Sequence, residues 1–139
     1  MSTRTLELDR SYDVSPERLF AAWTDVAVLT TWWGCAEDML WTVHAWHAVA
    51  GGEIHVSLDF DGTPFVVRGE FLVVDEPTHL RYRFGDTEIV DVRIDAEGAG
   101  SHLYLTHSEL PGDEQHSIVQ GGWTHALSLL GVRAAVATT

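Results

Sequence analysis

The chain has no lysine. Its 8 basic residues are all Arg and face 21 Asp and Glu, giving a formal net charge of −13 over 139 residues. Nucleic-acid binding and docking on anionic lipid both run on Lys and Arg, so neither partner is expected. A single cysteine, Cys35, excludes an internal disulfide framework and any zinc site built from several cysteines. Nowhere do 18 apolar residues run together, and the charged opening MSTRTLELDR holds no apolar stretch of signal length. Glycine-rich phosphate loops, a Gly-x-Ser-x-Gly elbow and the zincin histidine pair are also missing. These absences, with no repeat or low-complexity tract, predict one cytoplasmic domain over residues 1–139.

What is present is mostly periodic. Leu6 and Leu8 alternate with Glu7 and Asp9 in a half-buried strand over Thr3 to Ser11. Ser15 is placed to cap a helix that Pro16 opens and that runs to Thr24, and Asp25 to cap a second over Val26 to Trp32, stopped by Gly34. Period two then takes over. Strands are expected at Leu40 to Val49, Glu53 to Phe60, Phe65 to Val74, Leu80 to Phe84, Val90 to Asp95 and Leu103 to Thr106, with Asp95 to His102 as a hairpin loop. Helical spacing returns in His116, Val119, Trp123, Leu127, Leu130 and Ala134. Gly121 and Gly122 inside this helix cost about 1 kcal/mol each against Ala and are expected where the backbone passes close to something. The order is strand, two short helices, six strands and one long helix. A sheet with one apolar face needs a cover, and a curved sheet gripping one long helix leaves a gap suited to a ligand.

Several spaced motifs carry a resemblance. They are Val14 to Thr24, Trp32-Trp33-Gly34, Gly51-Gly52, Gly69-Glu70-Phe71 with Pro77 to Leu80, Thr106-His107-Ser108, and Gly122-Trp123 followed by Leu127 and Leu130. In that order the chain resembles the START-like, or SRPBCC, superfamily, in the branch named for the activator of the heat-shock ATPase (AHSA-type). The resemblance implies an α+β helix-grip fold: a curved antiparallel sheet of about seven strands around a long C-terminal helix, with two short helices after the first strand. It also implies a cavity for apolar or aromatic small molecules, used by some members for binding alone and by others for cyclase or dehydratase chemistry. Cys35 stands where the branch usually has Pro, and His47 and Val49 replace its usual Asp-x-Arg. The eukaryotic co-chaperone of this branch carries a second domain, for which 139 residues leave no room.

Candidate residues follow from facing. Trp41 or Trp46, Phe60, Phe71, Tyr82, His107, Trp123 and Leu127 are expected to line the cavity. Trp41 and Trp46 have opposite parity, so only one of them should face inward. If the protein is an enzyme, His107 is a natural general base, Tyr82 can orient an oxyanion, and His44, sharing parity with Trp46, can play the same part. His107 in phase with Leu103 and Leu105 reads more readily as a hydrogen-bonded core residue. His47 and His55 flank the Gly51-Gly52 hairpin and suggest a two-His metal site only weakly; no metal site and no cofactor are assigned. His125 is expected in solvent, and Arg81, Arg83 and Arg93 with Asp91 and Asp95 should form a solvated sheet face. The leading reading is a binding protein for a small hydrophobic or aromatic molecule. A cofactor-independent cyclase or dehydratase acting on a polyketide-like compound comes second, and a co-chaperone-like interaction module third. A homodimer is left open.

Overall fold

The computed structural model describes residues 3–33, 39–60 and 62–136. Gly34 and Cys35, and the stop assigned to Gly34, lie outside the described residues, as does the side chain of Phe60. The elements run β1 (Arg4–Tyr12), α1 (Pro16–Thr24), α2 (Val26–Leu29), β2 (Met39–Trp46), β3 (Glu53–Phe60), β4 (Thr63–Asp75), β5 (His79–Phe84), β6 (Glu88–Glu97), β7 (Gly100–Leu110) and α3 (Asp113–Val136). All seven strands form one antiparallel sheet in the order β1-β7-β6-β5-β4-β3-β2. The long C-terminal helix covers its apolar face beside the two short ones. This is the helix-grip architecture.

Local chemistry sets the ends of these elements. Ser15 Oγ accepts from the Arg18 amide at 3.3 Å with Pro16 behind it, and Asp25 Oδ1 accepts from the Ala27 amide at 3.0 Å. Helix α2 is one turn, shorter than the expected span to Trp32, and the chain continues in turns through Trp33. The loop expected over residues 95–102 is a two-residue turn: Glu97 pairs with Gly100, and Gly98 takes φ of 59°. A tight hairpin needs a left-handed residue there, which glycine supplies without a Cβ penalty. Strand pairing therefore runs almost to the tip.

Helix α3 is held from its side. Tyr12 Oη donates to the Leu127 carbonyl at 2.8 Å, and a Cβ at Gly131 would lie 2.7 Å from Tyr12 Cδ1. Burial pushes the Tyr12 phenol up to about 12, with the Arg10 charge opposing. The close approach expected at Gly121 and Gly122 is absent: nothing described lies within 4 Å of a Cβ built at either. Within α3, Gly131 is the glycine that a neighbour requires. Among the described residues no helix is long and apolar enough to cross a membrane.

Candidate functional site

The site grows from the C-terminal end of α1. A helix end leaves its last carbonyls without intrahelical partners. Here tryptophan indoles supply two of them. Trp32 Nε1 donates to the Ala22 carbonyl at 2.9 Å, and Trp46 Nε1 donates to that of Trp23 at 2.8 Å. The Trp23 ring then packs against Trp32 at 4.6 Å and Trp123 at 5.7 Å between ring centroids. Trp33 continues the cluster to Trp41 (4.5 Å), Phe84 (5.4 Å), Trp46 (5.6 Å) and Trp123 (6.5 Å).

Both Trp41 and Trp46 face inward, against the parity expectation. Val43 pairs with Val56 and Ala45 with His55, so His44 is an extra residue bulged out of β2. One inserted residue reverses the facing of everything after it. Trp41 and Val43 lie inward before the bulge, and Trp46 lies inward after it. His44 is thereby on the outer face, not on that of Trp46. It is exposed, its Nε2 is 2.7 Å from Ser57 Oγ, and its ring lies 4.6 Å from that of His55. His55 thus meets His44 rather than His47 across the hairpin. Partial burial lowers the His55 pKa, helped by the Arg68 and His44 charges and opposed by Glu53. Among the described residues no group of three or more His, Cys, Asp or Glu is placed to hold a metal ion.

His107 is buried, and both ring nitrogens are engaged. Trp123 Nε1 donates to Nδ1 at 2.9 Å, and Nε2 lies 2.8 Å from Glu88 Oε1. An indole N–H only donates, so Nδ1 carries the lone pair and the imidazole proton sits on Nε2, donated to the carboxylate. A general base needs an unoccupied nitrogen, and freeing one here means displacing Trp123. Tyr82 is fully buried and accepts from Trp33 Nε1 at 3.2 Å; burial raises its pKa, with the Trp33 bond opposing. Phe71 and Leu127 are also fully buried, with Phe71 5.7 Å from Tyr82 and 5.3 Å from Trp46. Trp46, Phe71, Tyr82, His107, Trp123 and Leu127, expected to line a cavity, are all buried in the core between the sheet and α3.

Open aromatic surface lies further along the concave face. Trp41, Leu58 and Phe65 stand in register across β2, β3 and β4. Leu58 is buried, Trp41 half-buried, and Phe65 44% exposed although it points the same way. Phe84, half-buried against Trp33, completes the rim. Sequence reasoning missed Phe65, Phe84, Trp33 and Glu88 as site residues. The phase of Phe84 with Tyr82 was readable; the pairing of Glu88 with His107 needed the register of two strands.

Comparison with known proteins settles the family. Residues 13–134 match the model for activator of Hsp90 ATPase homolog 1-like proteins. The chain belongs to the AHSA1 family. That family lies within the START-like superfamily, as the motifs implied. No curated protein sequence matches the chain. Among solved structures, the AHSA1 protein of Silicibacter pomeroyi is similar at 27% identity and a TM-score of 0.79, over 96% of this chain and 99% of that one. A Chromobacterium violaceum protein shares the fold at 23% identity and a TM-score of 0.82, over 92% and 95%. A Staphylococcus aureus protein of unknown function does so at 16% identity and a TM-score of 0.84, over 99% and 96%. Of the tryptophans that carried the resemblance, Trp32 serves α1 at the Ala22 carbonyl, Trp33 serves Tyr82, and Trp123 lies against His107.

Proposed function

We propose that this AHSA1-family chain binds a small, flat, apolar molecule at the aromatic rim formed by Trp41, Phe65 and Phe84, backed by the buried Trp33. The observation that carries the reading is Phe65, 44% exposed on the concave side of the sheet, in register with a buried Leu58 and a half-buried Trp41. A planar ligand laid on this row removes aromatic area from water, and ring-to-ring contacts add to that gain. The deeper residues support the rim rather than the ligand, because Tyr82 accepts from Trp33, His107 is held by Trp123 and Glu88, and Trp46 donates to the Trp23 carbonyl of α1. The reading requires no cofactor and no proton transfer.

The test is a titration of the protein with 2-naphthol, followed by calorimetry and tryptophan fluorescence. Saturable binding is expected, weakened about tenfold by Trp41→Ala and by Phe65→Ala. Binding that ignores both substitutions sinks the proposal. Conversion of a polyketide-like compound, abolished by His107→Leu, replaces it with the cyclase or dehydratase reading. Stimulation of an Hsp90 ATPase by the purified chain, with no small-molecule binding, replaces it with the activity for which the family is named.

A further inference from the structure

A groove on the flank of α3 shares no residue with the aromatic rim. This open groove of about 630 Å³ runs between α3 and β1, lined by Arg10 from the strand and by Ser117, Gln120, Thr124 and Ser128 from the helix. Gly121 also borders it, and a Cβ there would meet nothing within 4 Å. None of the lining residues is acidic, in a chain with 21 carboxylates against 8 arginines.

Arg10 is out of place for a structural arginine. Leu6, Leu8, Arg10 and Tyr12 share one side of β1, the side that packs under α3. A guanidinium in that row interrupts an apolar stripe at the sheet edge. Arg4, Arg68, Arg81 and Arg93 each pair with a carboxylate. The hydrogen bond recorded for Arg10 is a long one, 3.5 Å from Nη2 to the Thr124 carbonyl, and no carboxylate pairs with it among the described residues. The Arg10 head thus retains unspent donors at the groove, which it lines together with the hydroxyls of Ser117 and Thr124 and the amide of Gln120, while Ser128 Oγ already donates to the His125 carbonyl at 2.6 Å. Acidic groups flank the groove rather than line it: Asp9 is on the outer side of β1 at His102, Asp113 is held by Arg4 at 2.7 Å, and Glu114 lies in the first turn of α3, three residues before Ser117. His125 borders the groove as a further ring donor.

We propose that this groove binds a small oxyanionic group, a carboxylate or a phosphate, with Arg10 as its fork and the α3 side chains as its second wall. A guanidinium matches two oxygens at once, and neutral hydroxyl and amide donors satisfy the rest. The same site accounts for Gly121. A glycine in a helix interior is costly, and no neighbour in the fold requires one there, but a side chain at that position would project into the groove.

The test uses the full chain labelled with ¹⁵N, at constant ionic strength, with inorganic phosphate in one titration and acetate in another. Saturable shifts are expected at the amides from Ser117 to Ser128 and at Arg10 Nε, with half-saturation below about 20 mM. Arg10→Gln should weaken the response about tenfold or more, and Gly121→Leu, which fills the groove and favours the helix, should do the same. Trp41→Ala should leave it unchanged. Saturation by phosphate alone assigns a phosphoryl ligand, and saturation by both probes assigns any small oxyanion. Saturation by neither, or binding indifferent to both Arg10→Gln and Gly121→Leu, overturns the proposal.

Discussion

An indole N–H donates one hydrogen bond and accepts none, and in this chain that chemistry goes largely into holding the fold. Trp32 and Trp46 serve the open carbonyls of α1, Trp33 serves Tyr82, and Trp123 fixes the tautomer of His107. Residue counting cannot separate such indoles from ligand-stacking ones, because the two uses differ only in where the N–H points. Histidines divide in the same way. His102 lies between two carboxylates: Nε2 is 3.0 Å from Asp9 Oδ2 and Nδ1 is 3.2 Å from Glu97 Oε2. The Asp9 hydrogen bond raises its pKa above the ordinary 6.5, with the Glu97 and Asp9 charges adding and partial desolvation opposing. A raised folded-state value means that the unfolded chain releases this proton first as pH rises. The pairing therefore contributes in full below pH 6.5 and fades as pH climbs through the folded value. An NMR titration should place the His102 midpoint above 6.5, and Asp9→Asn should bring it down. A midpoint at or below 6.5 in the parent chain would contradict the pairing.

Elements were legible where one pattern ruled them and illegible where a single residue changed the rule. The cap at Ser15, the alternation in β3 and the spacing of α3 follow from local chemistry alone. The facing of Trp46 does not. The bulge at His44 is a register event between two strands, and a period-two count along β2 alone has no means of detecting it. The two-residue turn at Gly98 was hidden because eight polar and small residues read equally well as a loop. The same limit applied to the candidate site: its aromatic residues were named, but which remain open depends on how far α3 extends over the sheet. The helix glycines make this contrast measurable. Gly131 meets the Tyr12 ring, whereas Gly121 meets nothing. Gly121→Ala should gain up to about 1 kcal/mol from helix propensity and reduced unfolded-state freedom. Gly131→Ala brings the same propensity but forces Tyr12 aside, so it should fall below Gly121→Ala by about 1 kcal/mol or more. Urea unfolding of the two variants checks the order; equal stabilities would mean that Tyr12 does not hold α3 as described.

At the scale of the molecule, spaced motifs across nearly the whole chain made the helix-grip fold readable, since each marks a junction between elements. The charge balance acts at this scale too, and it separates two electrostatic effects of opposite sign. On the outer sheet face Asp91 gathers His79 at 2.8 Å, Arg81 at 3.4 Å and Arg93 at 3.5 Å. Added salt weakens the two arginine pairs, but their guanidinium ends reach solvent and such pairs contribute little, typically about 0–1 kcal/mol each. Against them stands the mutual repulsion of a chain at −13, which burdens the compact state more than the expanded one. With 21 carboxylates and 8 arginines, most acidic groups have no cation to pair with, so repulsion should dominate. Screening relieves it as the Debye length falls from about 30 Å at 0.01 M to about 8 Å at 0.15 M. Raising sodium chloride across that range at pH 7 should therefore raise Tm by about 2–5 °C. Calorimetry at matched buffer concentration reads this directly. A fall in Tm would show that the ion pairs around Asp91 outweigh the net charge, reversing the order of the two effects.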